Sequence, residues 1–205
     1  MSFKLIEARI SEKGITYSEY FKNFEDKIKN VDSEALENKQ KRLYEYRKLN
    51  FQRCQRIHKT YQMSDELKAE LQKFDNPQLW MVISEDWCGD SAQLLPYIAE
   101  IAKMSNKIDL RILYRDENAD IMEKYLTNGT RSIPKLIAFD DTGNEVFRWG
   151  PRPQEAAELF KEGRENGLPK SEIITKLHAW YSKDRGISIE KEFLNILKSI
   201  HQEVL

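Results

Sequence analysis

Cys88 is the residue whose type and neighbours best suit chemistry. It stands in Glu85-Asp86-Trp87-Cys88-Gly89-Asp90-Ser91, where a short apolar run gives way to helix-favouring sequence. The reactive form of cysteine is the thiolate. An ordinary thiol, with a pKa of about 8.5, is only slightly ionised at neutral pH. At the start of a helix, unpaired N–H groups and the positive end of the dipole favour the anion. Such positions bring cysteines to roughly 3.5–7.5. Gly89 lets another backbone approach closely, and Trp87 can shield one side. Asp90 opposes these effects, because a carboxylate two residues away disfavours a second negative charge. Ser91 can donate a hydrogen bond to the sulfur but cannot form a disulfide with it. The balance predicts a modest depression of the Cys88 pKa.

A second stretch, Arg131-Ser132-Ile133-Pro134, lies directly before a β-type run. The cis form of an X-Pro bond is disfavoured by only about 0.5–1 kcal/mol. In that form the Ile133 backbone is presented outward and can pair with an extended peptide. In the trans form Pro134 is an ordinary loop proline, and this stretch alone favours trans. Arg148 and Arg152 flank Trp149-Gly150-Pro151. Either can reach the Cys88 face, offset Asp90 and greet an anionic substrate such as glutathione; the alternative is two exposed arginines around a turn. Cys54 reads as a packed small hydrophobe, with a resolving thiol for Cys88 as the alternative. His58, His178 and His201 lack ligand spacing, so no metal site is predicted. There is no Gly-rich phosphate loop, and no cofactor is expected. Asp116-Glu117 and Asp140-Asp141 read as structural turn carboxylates.

The elements that must position these residues follow from periodicity. Apolar residues at helical spacing predict a helix over Tyr17–Ile28. Ser33 is a candidate cap for a second, longer helix with the stripe Leu36, Leu43, Tyr46, Cys54, Ile57, Tyr61. Its other face is basic, carrying Lys39, Lys41, Arg42, Arg47, Lys48, Arg53, Arg56 and Lys59. That reads as a solvated face, or as a surface for an acidic partner. Ser64-Asp65-Glu66 opens a helix to about Phe74. Beyond Pro77 the chain alternates: strand Leu79–Ser84, helix Ser91–Met104, strand Ile108–Tyr114, helix Ala119–Leu126 stopped by Asn128-Gly129. Strands Lys135–Asp140 and Glu145–Trp149 follow, joined by a hairpin turn, and Pro153 opens a helix to about Lys161. The order β-α-β-α-β-β-α predicts an α/β fold with a partly parallel sheet and an antiparallel edge. Helices near Ser171–Lys183 and Ser188–Val204 close the chain.

Bulk properties bound the function. The 205 residues are 40% hydrophobic and 33% charged, with a formal net charge of -1. That balance argues against nucleic acid or an anionic membrane as partner. No apolar run approaches the roughly 20 residues that span a bilayer, and the N-terminus has no apolar core typical of a secretory signal. Two cysteines do not make a disulfide framework, so a reducing compartment, the cytoplasm, is expected.

Taken together, these residues resemble the thioredoxin superfamily. Trp87-Cys88-Gly89-Asp90-Ser91 is similar to its Trp-Cys-Gly-Pro-Cys motif. Pro96 falls where that family kinks the active-site helix, and Asp116-Glu117-Asn118 resembles its strand-end turn. Arg131-Ser132-Ile133-Pro134 resembles the segment carrying its cis-proline. The likeness is closest to bacterial thioredoxin family proteins that carry Trp-Cys-Gly-Asp between extra terminal helices. It implies a thioredoxin-like fold, a central mixed sheet flanked by helices, over residues 61–165. A helical extension would precede it over 1–60, and helices over 166–205 would pack on it. It implies a catalytic Cys88 with Ser91 beside it, a cis Ile133–Pro134 bond, and substrate contacts from Trp87, Gly89, Asp90, Arg131, Ile133 and Pro134. Ser91 stands for the resolving cysteine, Asp90 for the proline, Val82 for a buried aspartate and Ile112 for its lysine partner. A mixed disulfide on Cys88 would then need an external thiol for release. Two functions are expected from this pattern. One is a monothiol thiol-disulfide oxidoreductase acting on protein or glutathione mixed disulfides. The other is a redox-inactive binding module that engages a protein through its terminal helices.

Overall fold

The computed structural model describes residues 3–33 and 35–203. In chain order the elements are α1 (Phe3–Lys13), α2 (Tyr17–Lys29), α3 (Asn38–Thr60), α4 (Asp65–Leu71), β1 (Gln78–Ser84), α5 (Gly89–Lys103), β2 (Ile108–Tyr114), α6 (Ala119–Met122), β3 (Lys135–Asp140), β4 (Glu145–Trp149), α7 (Gln154–Glu165), α8 (Lys170–Asp184) and α9 (Ile187–Glu203). The sheet runs β2-β1-β3-β4, with β1 and β2 parallel and the β3–β4 hairpin antiparallel to β1. This is the α/β thioredoxin-like arrangement, a mixed sheet flanked by helices with helical extensions at both ends.

The two-residue period of β1 splits the interior in two. Trp80 and Val82 face a large cluster that gathers Phe51, Cys54 and Ile57 of α3, Leu94, Leu95 and Ile98 of α5, and Phe193 and Leu197 of α9. Met81 and Ile83 face a smaller one with Ile6 of α1, Ile121, Met122 and Phe139. Both faces of β1 are therefore covered, as its unbroken apolar run requires. Val82 and Ile112 are register partners on β1 and β2, and both are fully buried.

Several details differ from expectation. α1 was not anticipated; a single face, led by the buried Ile6, settles it on the smaller cluster. Helix α3 begins after Glu37 rather than at Ser33, its first turn closed by Glu37 N–H donating to Gln40 Oε1 at 3.2 Å. Its N-terminal half buries no apolar stripe: Leu36 precedes the helix, Leu43 is exposed, and burial starts at Asn50 and Phe51. Helix α6 ends at Met122, because three-residue bonds from Lys124 to Ile121 and Tyr125 to Met122 tighten the chain. Tyr125 is then buried in the smaller cluster, and Asn128 and Gly129 take positive φ angles of 49° and 72°. The helix expected to reach Val204 extends to Glu203, and Val204 lies outside the described residues.

Candidate functional site

Cys88 is the N-cap of α5, in extended backbone conformation, at the end of the loop leaving β1. Its Sγ accepts the Ser91 N–H at 3.5 Å and donates to the Ile133 carbonyl at 3.3 Å. The Ile133–Pro134 peptide is cis, and so is Gly150–Pro151, for which no sequence motif called. The sheet explains the meeting. β1 and β3 are antiparallel neighbours, so the end of β1 and the start of β3 lie side by side, with Ile83 opposite Lys135.

The electrostatics of the thiol correct the sequence reading. Cys88 is half-buried. Burial, with Asp90 adding to it, pushes its pKa up to about 11, although hydrogen bonds from Ser91 favour the anion. The helix start does not win, because the loss of water around the sulfur outweighs it. Ser91 is 1% exposed, and its hydroxyl is buried with no nitrogen or oxygen partner.

Asp90 is held from two elements. Arg152 Nη2 lies 2.5 Å from Oδ2, and the Tyr181 hydroxyl of α8 donates to Oδ1 at 2.9 Å. Burial pushes the Asp90 carboxyl up, against the pull of Arg152 and Tyr181. Arg152 lies over the Phe160 ring at 4.2 Å, and its Nε is buried without a hydrogen-bond partner. Of the two candidate arginines, Arg152 therefore reaches the cysteine loop. Arg148 instead pairs with Glu145 and lies over Tyr125.

Several participants were invisible in the sequence. Asp86, whose side chain is fully buried, binds Lys27 Nζ at 2.7 Å and Arg47 Nε at 2.6 Å, while Asn50 Nδ2 donates to its carbonyl. The face of α3 read as solvated thus faces the site at Arg47, while Lys39, Lys41, Arg42 and Lys48 are exposed. Glu85 accepts the Asp116 N–H at 2.9 Å; burial, with Asp116 and Asp86 adding to it, raises its carboxyl to about 7. Gly89 sits under two of the flanking helices: a Cβ there would fall 2.9 Å from His178 of α8 and from the Tyr46 hydroxyl of α3. His178 shares a hydrogen bond with Gln93 at 3.3 Å. Burial, reinforced by Arg53, Arg152 and Arg56, lowers it to about 4.

The remaining sequence candidates separate. Trp87 lies under the Arg115 guanidinium at 4.6 Å, and Arg115 donates to the Arg131 carbonyl at 3.2 Å, so the two loops are tied. The Arg131 side chain is exposed and pairs with Glu123 rather than with the cysteine loop. Cys54 is 2% exposed, donates to the Ala92 carbonyl at 3.4 Å, and is pushed by burial up to about 12. Both cysteines are free thiols. Among the described residues, no three His, Cys, Asp or Glu side chains could together hold a metal, and no helix is long and apolar enough to cross a membrane.

Cys88, at a helix start, thus lies against the residue before a cis proline. A thioredoxin family model matches residues 36–165. The chain belongs to the thioredoxin family. Two solved structures share this thioredoxin-family fold. One is a protein of unknown function from Pseudomonas aeruginosa, 19% identical, with a TM-score of 0.59 over 94% of this chain and 96% of that one. The other is an HIV epitope scaffold, also 19% identical, with a TM-score of 0.52 over 90% of this chain and 99% of that one. No curated protein matches the sequence.

Proposed function

We propose that this thioredoxin-family chain is a cytoplasmic monothiol thiol-disulfide oxidoreductase acting through Cys88. The observation that carries the reading is the Cys88 Sγ contact with the Ile133 carbonyl, beside the cis Pro134. Attack of Cys88 on a disulfide forms one S–S bond and breaks another. The leaving thiolate takes up the proton that Cys88 gives up. With Ser91 in place of a second thiol, an external thiol must then attack the mixed disulfide and return a proton to Cys88. Ser91 favours the attacking thiolate, while Trp87, Gly89 and Asp90 shape its surroundings.

A second reading, a redox-inactive module that binds a protein through its terminal helices, is favoured by one observation. The thiol pushed up to about 11 is almost entirely protonated at neutral pH. The two readings separate in one assay. Exchange with a small mixed disulfide should be Cys88-dependent, slow at neutral pH, and accelerated about tenfold per pH unit below the thiol pKa, since the rate follows the thiolate fraction. A Cys88→Ser variant exchanging at the wild-type rate would leave only the binding module.

A further inference from the structure

Three guanidinium groups converge on the Gly89–Asp90 turn. Arg56 donates to Gln93, which shares a hydrogen bond with His178 beside Gly89, and Arg53 lies over the ring of Tyr46, whose hydroxyl also faces Gly89. Arg152 is paired with Asp90. The hydrogen-bond partners of the other two are neutral: Arg53 donates to Asn50 Oδ1, and Arg56 donates to Ser182 Oγ and Gln93 Oε1. Among the described residues neither forms an ion pair, so no carboxylate directly contacts either guanidinium. A donor is also left over: Arg152 Nε is buried without a partner. An orphaned buried donor in a native site calls for a ligand or water to satisfy it.

Space and enclosure narrow the ligand further. Arg56 lines a cavity of about 550 Å³ together with Arg185, Tyr61, Tyr97 and Ser182. Ser182 is one helical turn beyond His178 on α8, about 6 Å along the axis. Around the sulfur, the surfaces that would carry an extended polypeptide are closed. Ile133 is 4% exposed, its carbonyl is occupied by the Cys88 thiol, and Pro134 is buried. Helices α3 and α8 cover Gly89 on the other side.

We infer that Cys88 acts on low-molecular-weight disulfides bearing carboxylate groups, which Arg53, Arg56 and Arg152 attract and orient, and not on disulfides of folded proteins. The inference rests on the exchange reading above. The Cys88 sulfur attacks one sulfur of the disulfide, the old S–S bond breaks, and the departing half leaves as a thiol carrying the Cys88 proton. An external thiol then takes the retained half as a new disulfide and restores the Cys88 thiol.

Three symmetric disulfides of similar size serve as probes: 3,3′-dithiodipropionate (anionic), 2-hydroxyethyl disulfide (neutral) and cystamine (cationic). The full chain is incubated with each, and adduct formation at Cys88 is followed by intact mass. The expected order is anionic, neutral, cationic, with about tenfold or more between the extremes, as electrostatic steering gives, and with the ratio shrinking as salt is raised. Arg56→Gln should shrink the ratio at constant salt. Arg56 is exposed, so this variant keeps the test open if Arg152→Gln does not fold. Equal rates for the three probes would overturn the anion preference while leaving exchange at Cys88 intact. Insulin reacting as fast as the anionic probe would overturn the size limit. No adduct at Cys88 with any probe, while the unfolded chain is labelled, would remove the exchange reading itself.

Discussion

Three carboxylates crowd the loop that carries Cys88, and each meets a different environment. Asp86 is neutralised by Lys27 and Arg47. Asp90 is clasped by Arg152 and Tyr181, yet burial still raises its carboxyl. Glu85 receives one backbone N–H and otherwise faces desolvation and the charges of Asp116 and Asp86, which together raise it to about 7. A raised carboxyl binds its proton more tightly in the folded chain than in the unfolded one. Its contribution to stability is therefore fully present below the ordinary carboxylate value of about 4.3 and is lost as pH rises through about 7. Glu85→Gln keeps an oxygen for the Asp116 N–H and removes the ionisation. Above pH 7 the variant should exceed wild type by on the order of 1 kcal/mol, after allowing for solvent screening, and the gain should vanish near pH 4. Urea denaturation at both pH values checks this; a gain independent of pH would contradict the assignment. The rank order of effects at Cys88 was not readable from the chain, because helix position and Asp90 are local while desolvation depends on what covers the sulfur.

At the scale of elements, the site is assembled by strand ends and covered by helices from both flanks. The bounds of β3 and β4 agree with the sequence reading residue for residue, since the Asp140–Asn144 turn is fixed by local hydrogen bonds from Thr142 and Asn144 to Asp140. The cover was not legible. The apolar spacing on α3 and α8 announces helices but does not say that Tyr46 and His178 meet at Gly89. Two glycines test how this layer is held. Gly150 has a φ of +100°, and a Cβ there would lie 2.3 Å from the Pro134 carbonyl oxygen, a backbone atom. Gly150→Ala should therefore cost more than about 1 kcal/mol. At Gly89 the obstructing atoms are the ends of the His178 and Tyr46 side chains, which can swing aside. Gly89→Ala should cost less than Gly150→Ala while shifting the His178 ring resonances. Equal losses of denaturation midpoint in the two variants would contradict this account.

At the scale of the molecule, the C-terminal helix is part of the main interior. Phe193 of α9 is fully buried, with ring centroids 5.7 Å from Trp80, 5.4 Å from Trp149 and 6.3 Å from Phe147. Glu192 beside it accepts from Trp149 Nε1 and from the Gln154 N–H that opens α7, each at 2.6 Å. Phe193→Ala should lower stability by about 3–5 kcal/mol, seen as a lower urea midpoint with an unchanged slope; a loss under 1 kcal/mol would mean α9 is an appendage rather than core. The sequence by itself determined the alternation of strands and helices and the hairpin, each carried by local spacing. Short motifs add the resemblance to the thioredoxin class, and only that resemblance implies Cys88 beside a cis Ile133–Pro134 bond. Only the tertiary structure decided how protonated Cys88 is, which arginine reaches Asp90, and which helices close over the sulfur. Those outcomes depend on desolvation and on contacts between residues far apart in the chain, such as Asp90 and Tyr181, 91 positions apart, and no local pattern encodes them.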